Sequence, residues 1–326
     1  MAAPATGPDD TVRVRPPTAA SKSTRLKLTI FGAIGAVLII GILAGAFLLI
    51  GHPTPAQIPI DTETEAQIDA TQPCAIKISR LAADPAIVVL DFPSLTQQGL
   101  TLNRVAALIE KAKLPRDRVL NDVELNEAIT SCGDTIESYY YGHDYRAADL
   151  AKFFTLAATE NIQLNANELW LKSLLTQLGW LTTGANGALI TLPAAIPPID
   201  QHTRAVILHH EISHGAFYTI PAYEAYATNF WNSLTPQDRA DFTNFLGRQG
   251  YDTNNTNLML NETQAYLIFT RDPMFFNAAA VGMNEPQIET LRAGYIANIP
   301  VPWLQPMANA PLPIGPPEPA MCPAAG

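Results

Sequence analysis

Residues Leu28–Ile50 form an unbroken run of 23 residues without a charged side chain, "LTIFGAIGAVLIIGILAGAFLLI". As a helix it covers the roughly 30 Å hydrocarbon core of a bilayer. It lacks the polar stripe that a buried helix of this length carries in a soluble protein. Arg13, Arg15, Lys22, Arg25 and Lys27 precede it, against Asp9 and Asp10, while the remainder of the chain is strongly acidic. Positive flanks stay in the cytoplasm. The expectation is a disordered cytoplasmic tail over 1–27, one transmembrane helix over 28–50 and a large domain on the other side. A cleaved signal peptide fits less well, because the run exceeds a usual signal core and no small-x-small site follows it. For a bacterial chain this layout implies the inner membrane, single-pass, with the domain in the periplasm. Gly41 and Gly45 make a GxxxG, a weak signal for homodimers through the span.

The exported portion has no basic stripe, which argues against nucleic acid as a partner. Its three cysteines, Cys74, Cys132 and Cys322, meet an oxidising compartment, where one disulfide and one thiol are expected. Cys74–Cys132 is the favoured pairing. Residues 51–72 read as a linker. "PAIVVLDF" reads as a strand. Helices follow over "TLNRVAALIEKAKL", with Thr101 as a cap, and over "NDVELNEAITS", where Asn121 and Glu124 match a capping box. "SYYYGHDY" is an aromatic loop. Two more helices lie in "YRAADLAKFFTLAA" and "NANELWLKSLLTQLGWL", then a short strand in "GALITLP". Later helices are expected over 201–218, after Pro221, after Thr235, across "NLMLNETQAYLIFT" and over 285–297. The fold class is therefore α+β, mostly helical with a small sheet. The regions are a helical N-terminal subdomain (73–180), a catalytic region (181–298) and a Pro-rich C-terminal tail (299–326).

Chemistry concentrates in "LHHEISHG". Four of the six histidines fall between His202 and His214. His210 and His214, four apart on a helix, share one face and can hold one cation. Glu211 is turned roughly 100° from His210, where it can hold water beside a metal without being a ligand. Ala205, Val206, Ile207, Leu208 and Ile212 imply burial, and burying these polar groups without a partner is costly. Zn²⁺ would satisfy them. His202 and His209 lie off this face.

"HHEISHG" resembles the active-site helix of the zincin metallopeptidases. Phe217 and Ile220 exclude the metzincin continuation, which needs Gly and His there. The resemblance implies the gluzincin-like arrangement, with a glutamate on a later helix as third ligand. Glu262 in "NETQAYL" is similar to the ligand helix of the thermolysin-like group, and Glu224 is its rival. Asn261-Glu262-Thr263 also matches a glycosylation acceptor. The segment 85–180 resembles uncharacterised bacterial membrane-anchored proteins with the same motif. The implied ligands are His210, His214 and Glu262, with Glu211 as general base acting on a peptide or protein substrate. Tyr223, Tyr226, Tyr266 and His143 are candidates for oxyanion stabilisation, with Tyr223 and Tyr266 favoured. The strand in "GALITLP" is expected to be an edge that pairs with extended substrate. The alternatives are a zinc amidase acting on cell-wall peptides and a catalytically silent zinc-fold binding protein.

Overall fold

A computed structural model describes residues 57–312. The expected tail, the Leu28–Ile50 span with its glycine pair, and residues 313–326 of the Pro-rich C-terminal segment lie outside the described residues, while the described part of that segment includes a short helix over Leu304–Asn309. Among the described residues no helix is long and apolar enough to cross a membrane.

Helices predominate around one mixed five-stranded sheet. Its strands are β1 (Asp61–Glu63), β2 (Lys77–Leu81), β3 (Asp84–Phe92), β4 (Asp144–Arg146) and β5 (Ala188–Pro193), in the order β1-β2-β3-β5-β4. β1 runs parallel to β2, and β2 antiparallel to β3. β3 runs parallel to β5, and β4 antiparallel to β5. Strands from both sides of position 180 thus share one sheet. Residues 61–63, within the expected linker, already form β1, and a helix α1 (Glu65–Ala70) follows.

β3 explains its own sequence. Ile87 and Val89 pack with one buried cluster, and Val88, Leu90 and Phe92 with another on the opposite face. A strand covered on both faces reads as a continuous apolar run, here "AIVVL". One face carries α2 (Leu95–Ile109), α4 (Ala147–Thr159) and α5 (Ala166–Gln177). α3 (Asp122–Ser131) packs against α2. The other face carries α6 (Gln201–Thr219), α7 (Pro221–Ser233), α8 (Pro236–Arg248), α9 (Thr256–Gln264), α10 (Glu285–Ile296) and α11 (Leu304–Asn309).

The expected caps of α3 and α8 form, each as a reciprocal box, Asn121 with Glu124 and Thr235 with Asp238. α2 starts earlier than expected. Ser94 caps it, and Thr101 lies buried within it, its hydroxyl donating to the Gln97 carbonyl at 2.6 Å. Cys74 is disulfide-bonded whereas Cys132 is free and exposed, so the expected Cys74–Cys132 pairing is wrong. Cys132 ends α3, where its exposed position gives it no role in closing the fold.

α6 is fixed firmly to the sheet. Asp200 caps it, accepting from the Thr203 amide at 2.7 Å. Arg204 is fully buried and forks onto Asp91 of β3, with both Nη–Oδ distances 2.8 Å. It also donates to the carbonyls of Ile68 and Pro193. Such a fork orients a guanidinium strictly. Burial still outweighs the pairing and pushes the Asp91 carboxyl up to about 6. Further along, a Cβ on Gly215 would stand 2.9 Å from Ile87 Cδ1. Only glycine lets the helix lie this close to β3.

Candidate metal centre

α6 presents His210 and His214 from one face, with their Nε2 atoms 3.0 Å apart. Glu262, from α9, brings Oε2 to 3.7 Å from His210 Nε2 and 3.6 Å from His214 Nε2. These three donor atoms converge tightly enough for one cation to touch all of them. Glu224 is elsewhere, half-exposed and paired with Arg146 at 2.7 Å. Of the two rival glutamates, the fold brings Glu262 to the histidines. Asn261 and Thr263 are each 1 % exposed, so the sequon cannot accept a glycan in this fold.

The segment after α9 explains how one stretch reaches the site three times. Residues Ala265–Phe269 form a π-helical turn, closed by the Thr270 amide donating to the Ala265 carbonyl at 2.9 Å. Glu262 faces both imidazoles. Tyr266 sets its ring edge-on to His210, centroids 4.8 Å apart. The Thr270 hydroxyl lies 2.7 Å from His210 Nδ1 and donates to the Ala265 carbonyl at 3.1 Å. Its one proton is committed there, so it accepts from His210 Nδ1–H. His210 Nε2 then keeps its lone pair toward His214 and Glu262. A hydrogen-bonded second nitrogen is the usual arrangement of a ligating histidine.

The electrostatics fit a cation. Burial holds His210 well below the ordinary imidazole range, with His214 and His209 adding to the effect, and pushes His214 down to about 4. Both rings are therefore in the neutral, ligating form. Burial pushes the carboxyls of Glu211 and Glu262 far up, and repulsion from Asp144 and Glu110 adds to both. Oε2 of Glu211 and Oε2 of Glu262 have no hydrogen-bond partner among the described residues. A divalent ion would reverse this cost, since it is the largest charge in any site it enters. Two imidazoles and a carboxylate are the donor set that zinc accepts.

Sequence reasoning missed Asp144 and Glu110. Asp144 lies on β4, its Oδ2 3.8 Å from His214 Nε2, while the Tyr218 hydroxyl donates to its Oδ1 at 2.6 Å. Asp144, Glu211 and His214 form a second converging donor set. Burial pushes Asp144 up to about 7. Glu110, behind the aromatic loop, is pushed up to about 8 by burial and by Asp144. Asp144 lies in the aromatic loop "SYYYGHDY", directly after the histidine His143. His143 is buried against Thr191 and Gln98, with Nδ1 3.1 Å from Thr191 Oγ1, and does not line the cavity.

A cavity of about 250 Å³ opens onto His210 and Glu211. Its walls include Tyr139–Gly142, Lys111, Tyr251 and Tyr266. Tyr266 is therefore at the site. Tyr223 is not: it is buried in α7, where its hydroxyl donates to Gln264 Oε1 at 2.6 Å and accepts from Tyr295 at 3.0 Å. Tyr226 donates to the Tyr295 carbonyl and is likewise remote. Tyr223 instead anchors a polar chain through Gln264, Asn261 and Tyr218 that ends on Asp144. The strand before the motif helix is also not an edge. β5 is paired on both sides, so extended substrate cannot add to it there, and β4 is the outer strand.

No protein family, curated protein or solved structure compared with the chain matches it.

Proposed function

We propose that the chain is a zinc-dependent peptidase, anchored in a bacterial inner membrane through Leu28–Ile50, with its hydrolytic domain on the periplasmic side. The observation that carries this reading is the convergence of His210 Nε2, His214 Nε2 and Glu262 Oε2 within 3.7 Å, beside a Glu211 carboxylate that faces a cavity. His210, His214 and Glu262 would hold the ion. Held there, zinc would supply Lewis acidity toward a scissile carbonyl and a water molecule.

The chain's own residues do the rest. Glu211 accepts a proton from the attacking water and returns it to the leaving amine, a role worth roughly 10²–10⁴-fold. Tyr266 lines the cavity wall and would donate to a developing oxyanion. The backbone at Gly142 packs against Glu211 and narrows its access to bulk water. The unpartnered Glu211 Oε2 speaks against a purely structural zinc site, which needs no such carboxylate. The interior position of β5 removes the feature that favoured long extended substrates, so an amidase acting on short cell-wall peptides is the second reading.

The test is zinc content and peptide hydrolysis of the full chain. Glu211→Gln should keep stoichiometric zinc and lose turnover, and His210→Ala/His214→Ala should lose both. Zinc retained by the double histidine variant would sink the proposal. Zinc lost in Glu211→Gln would move the ion to the Asp144, Glu211 and His214 set.

A further inference from the structure

The cavity carries one cation besides any metal. Lys111 is the one lysine or arginine on its wall. Its position is fixed by main-chain pairing: Lys111 bridges to Tyr251, the Ala112 amide donates to the Gly250 carbonyl, and the Asp252 amide donates to the Glu110 carbonyl. The ammonium lies over two rings of the aromatic loop, 4.1 Å from the Tyr139 centroid and 4.3 Å from that of Tyr140. Among the described residues it has neither a carboxylate partner nor a hydrogen-bond acceptor. The buried arginines Arg104, Arg204 and Arg292, by contrast, each have a carboxylate partner.

Ring faces compensate a half-buried ammonium only partly. Burial accordingly lowers the Lys111 pKa from its ordinary value, while Asp134, Cys132 and Glu110 oppose this. An anion arriving in the cavity would be the strongest partner available to it. The chain as a whole carries a net charge of −10, so its long-range field does not favour anionic substrates. Selection for an anion would come from this local contact. The cavity, about 250 Å³, lies below the roughly 300–1,000 Å³ of sites for drug-sized ligands and suits a short piece of substrate.

Building on the peptidase reading, we infer that Lys111 recognises a carboxylate of the substrate. The preferred peptide then carries either a free C-terminal carboxylate or an Asp or Glu side chain close to the scissile bond. The aromatic loop holds the ammonium in place and supplies the apolar walls beside it.

Binding separates this inference from catalysis. Zinc-loaded full-length Glu211→Gln protein is titrated with acetyl-Ala-Phe, acetyl-Ala-Phe-amide, acetyl-Ala-Glu-amide and acetyl-Ala-Gln-amide, alone and combined with Lys111→Met or Lys111→Arg. An acid should bind about 10-fold or more tighter than its neutral counterpart. Preference within the first pair assigns the C-terminal carboxylate, and within the second the side chain. Lys111→Met should abolish the preference and leave neutral-peptide affinity unchanged, while Lys111→Arg should retain it. Equal binding of acids and amides, or a preference that survives Lys111→Met, would overturn the inference. If the preference holds but the wild-type protein cleaves no peptide, the peptidase reading fails and anion recognition by Lys111 stands.

Discussion

Gly142 and Glu211 occupy adjoining space: a Cβ on Gly142 would stand 2.8 Å from the Glu211 carboxyl carbon and 3.1 Å from Ile207 Cγ2. The aromatic loop therefore approaches the proposed base with bare backbone. Gly142→Ala must displace one or the other. Since Glu211 is not among the proposed ligands, turnover should fall about 10²-fold with zinc content unchanged. Parallel measurement of kcat and zinc stoichiometry checks this, and a matching loss of zinc would count against the assigned roles.

Thr270 orients His210 without being a ligand. Thr270→Val preserves shape but removes the acceptor for Nδ1–H. Zinc affinity should drop 10–100-fold, as for other partners of ligating histidines. Competition with a chromophoric chelator measures it, and Thr270→Ser should restore most of the affinity.

Tyr266 and Tyr223 should separate cleanly. Tyr266→Phe is expected to lower kcat/KM by about 10²-fold with stability little changed. Tyr223→Phe breaks the buried chain at Gln264 and should cost about 1–3 kcal/mol of stability, with turnover per folded molecule maintained. Thermal unfolding and steady-state kinetics on both variants decide the matter.

His143 gives a pH signature for folding. Burial pushes its pKa down to about 3, whereas an exposed histidine titrates near 6.5. The unfolded chain thus binds more protons between these values, and linkage makes stability rise with pH there. Its contribution is complete above about 6.5 and is lost as pH falls toward 3. Urea unfolding of wild type and His143→Gln at intervals from pH 7 to 4 should show a shallower acid decline in the variant. Parallel curves would show that His143 does not carry this dependence.

Three members of the site were legible because they are local: His210, Glu211 and His214 declare themselves by spacing on one helix. Glu262, 48 positions past His214, was suggested only by the resemblance of "NETQAYL" to a ligand helix, with Glu224 as its rival. Asp144 was not legible, since it sits on a three-residue strand whose pairing with β5 is set by contacts more than forty residues away. The interior place of β5 is equally non-local: its sequence reads the same whether one neighbour or two pair with it. Tyr223 misled because a tyrosine near the motif in sequence points into α7's own packing rather than toward the cavity. β1 and α1 were hidden in a polar stretch whose helix is held by its ends, the Thr64–Gln67 box and contacts from Arg204 and His209, rather than by an apolar stripe.

The π-helical turn makes the segment length-sensitive. Over the eight positions from Glu262 to Thr270, an uninterrupted α-helix would accumulate a rotation of about 80° beyond whole turns. The wider turn takes up this drift and lets one rung of side chains at every fourth position address the same histidine. Removing a single residue within 265–269 would leave Glu262 in place but swing position 270 away from His210. Insertions and deletions here are therefore a sharper probe of the centre than most point substitutions on its periphery.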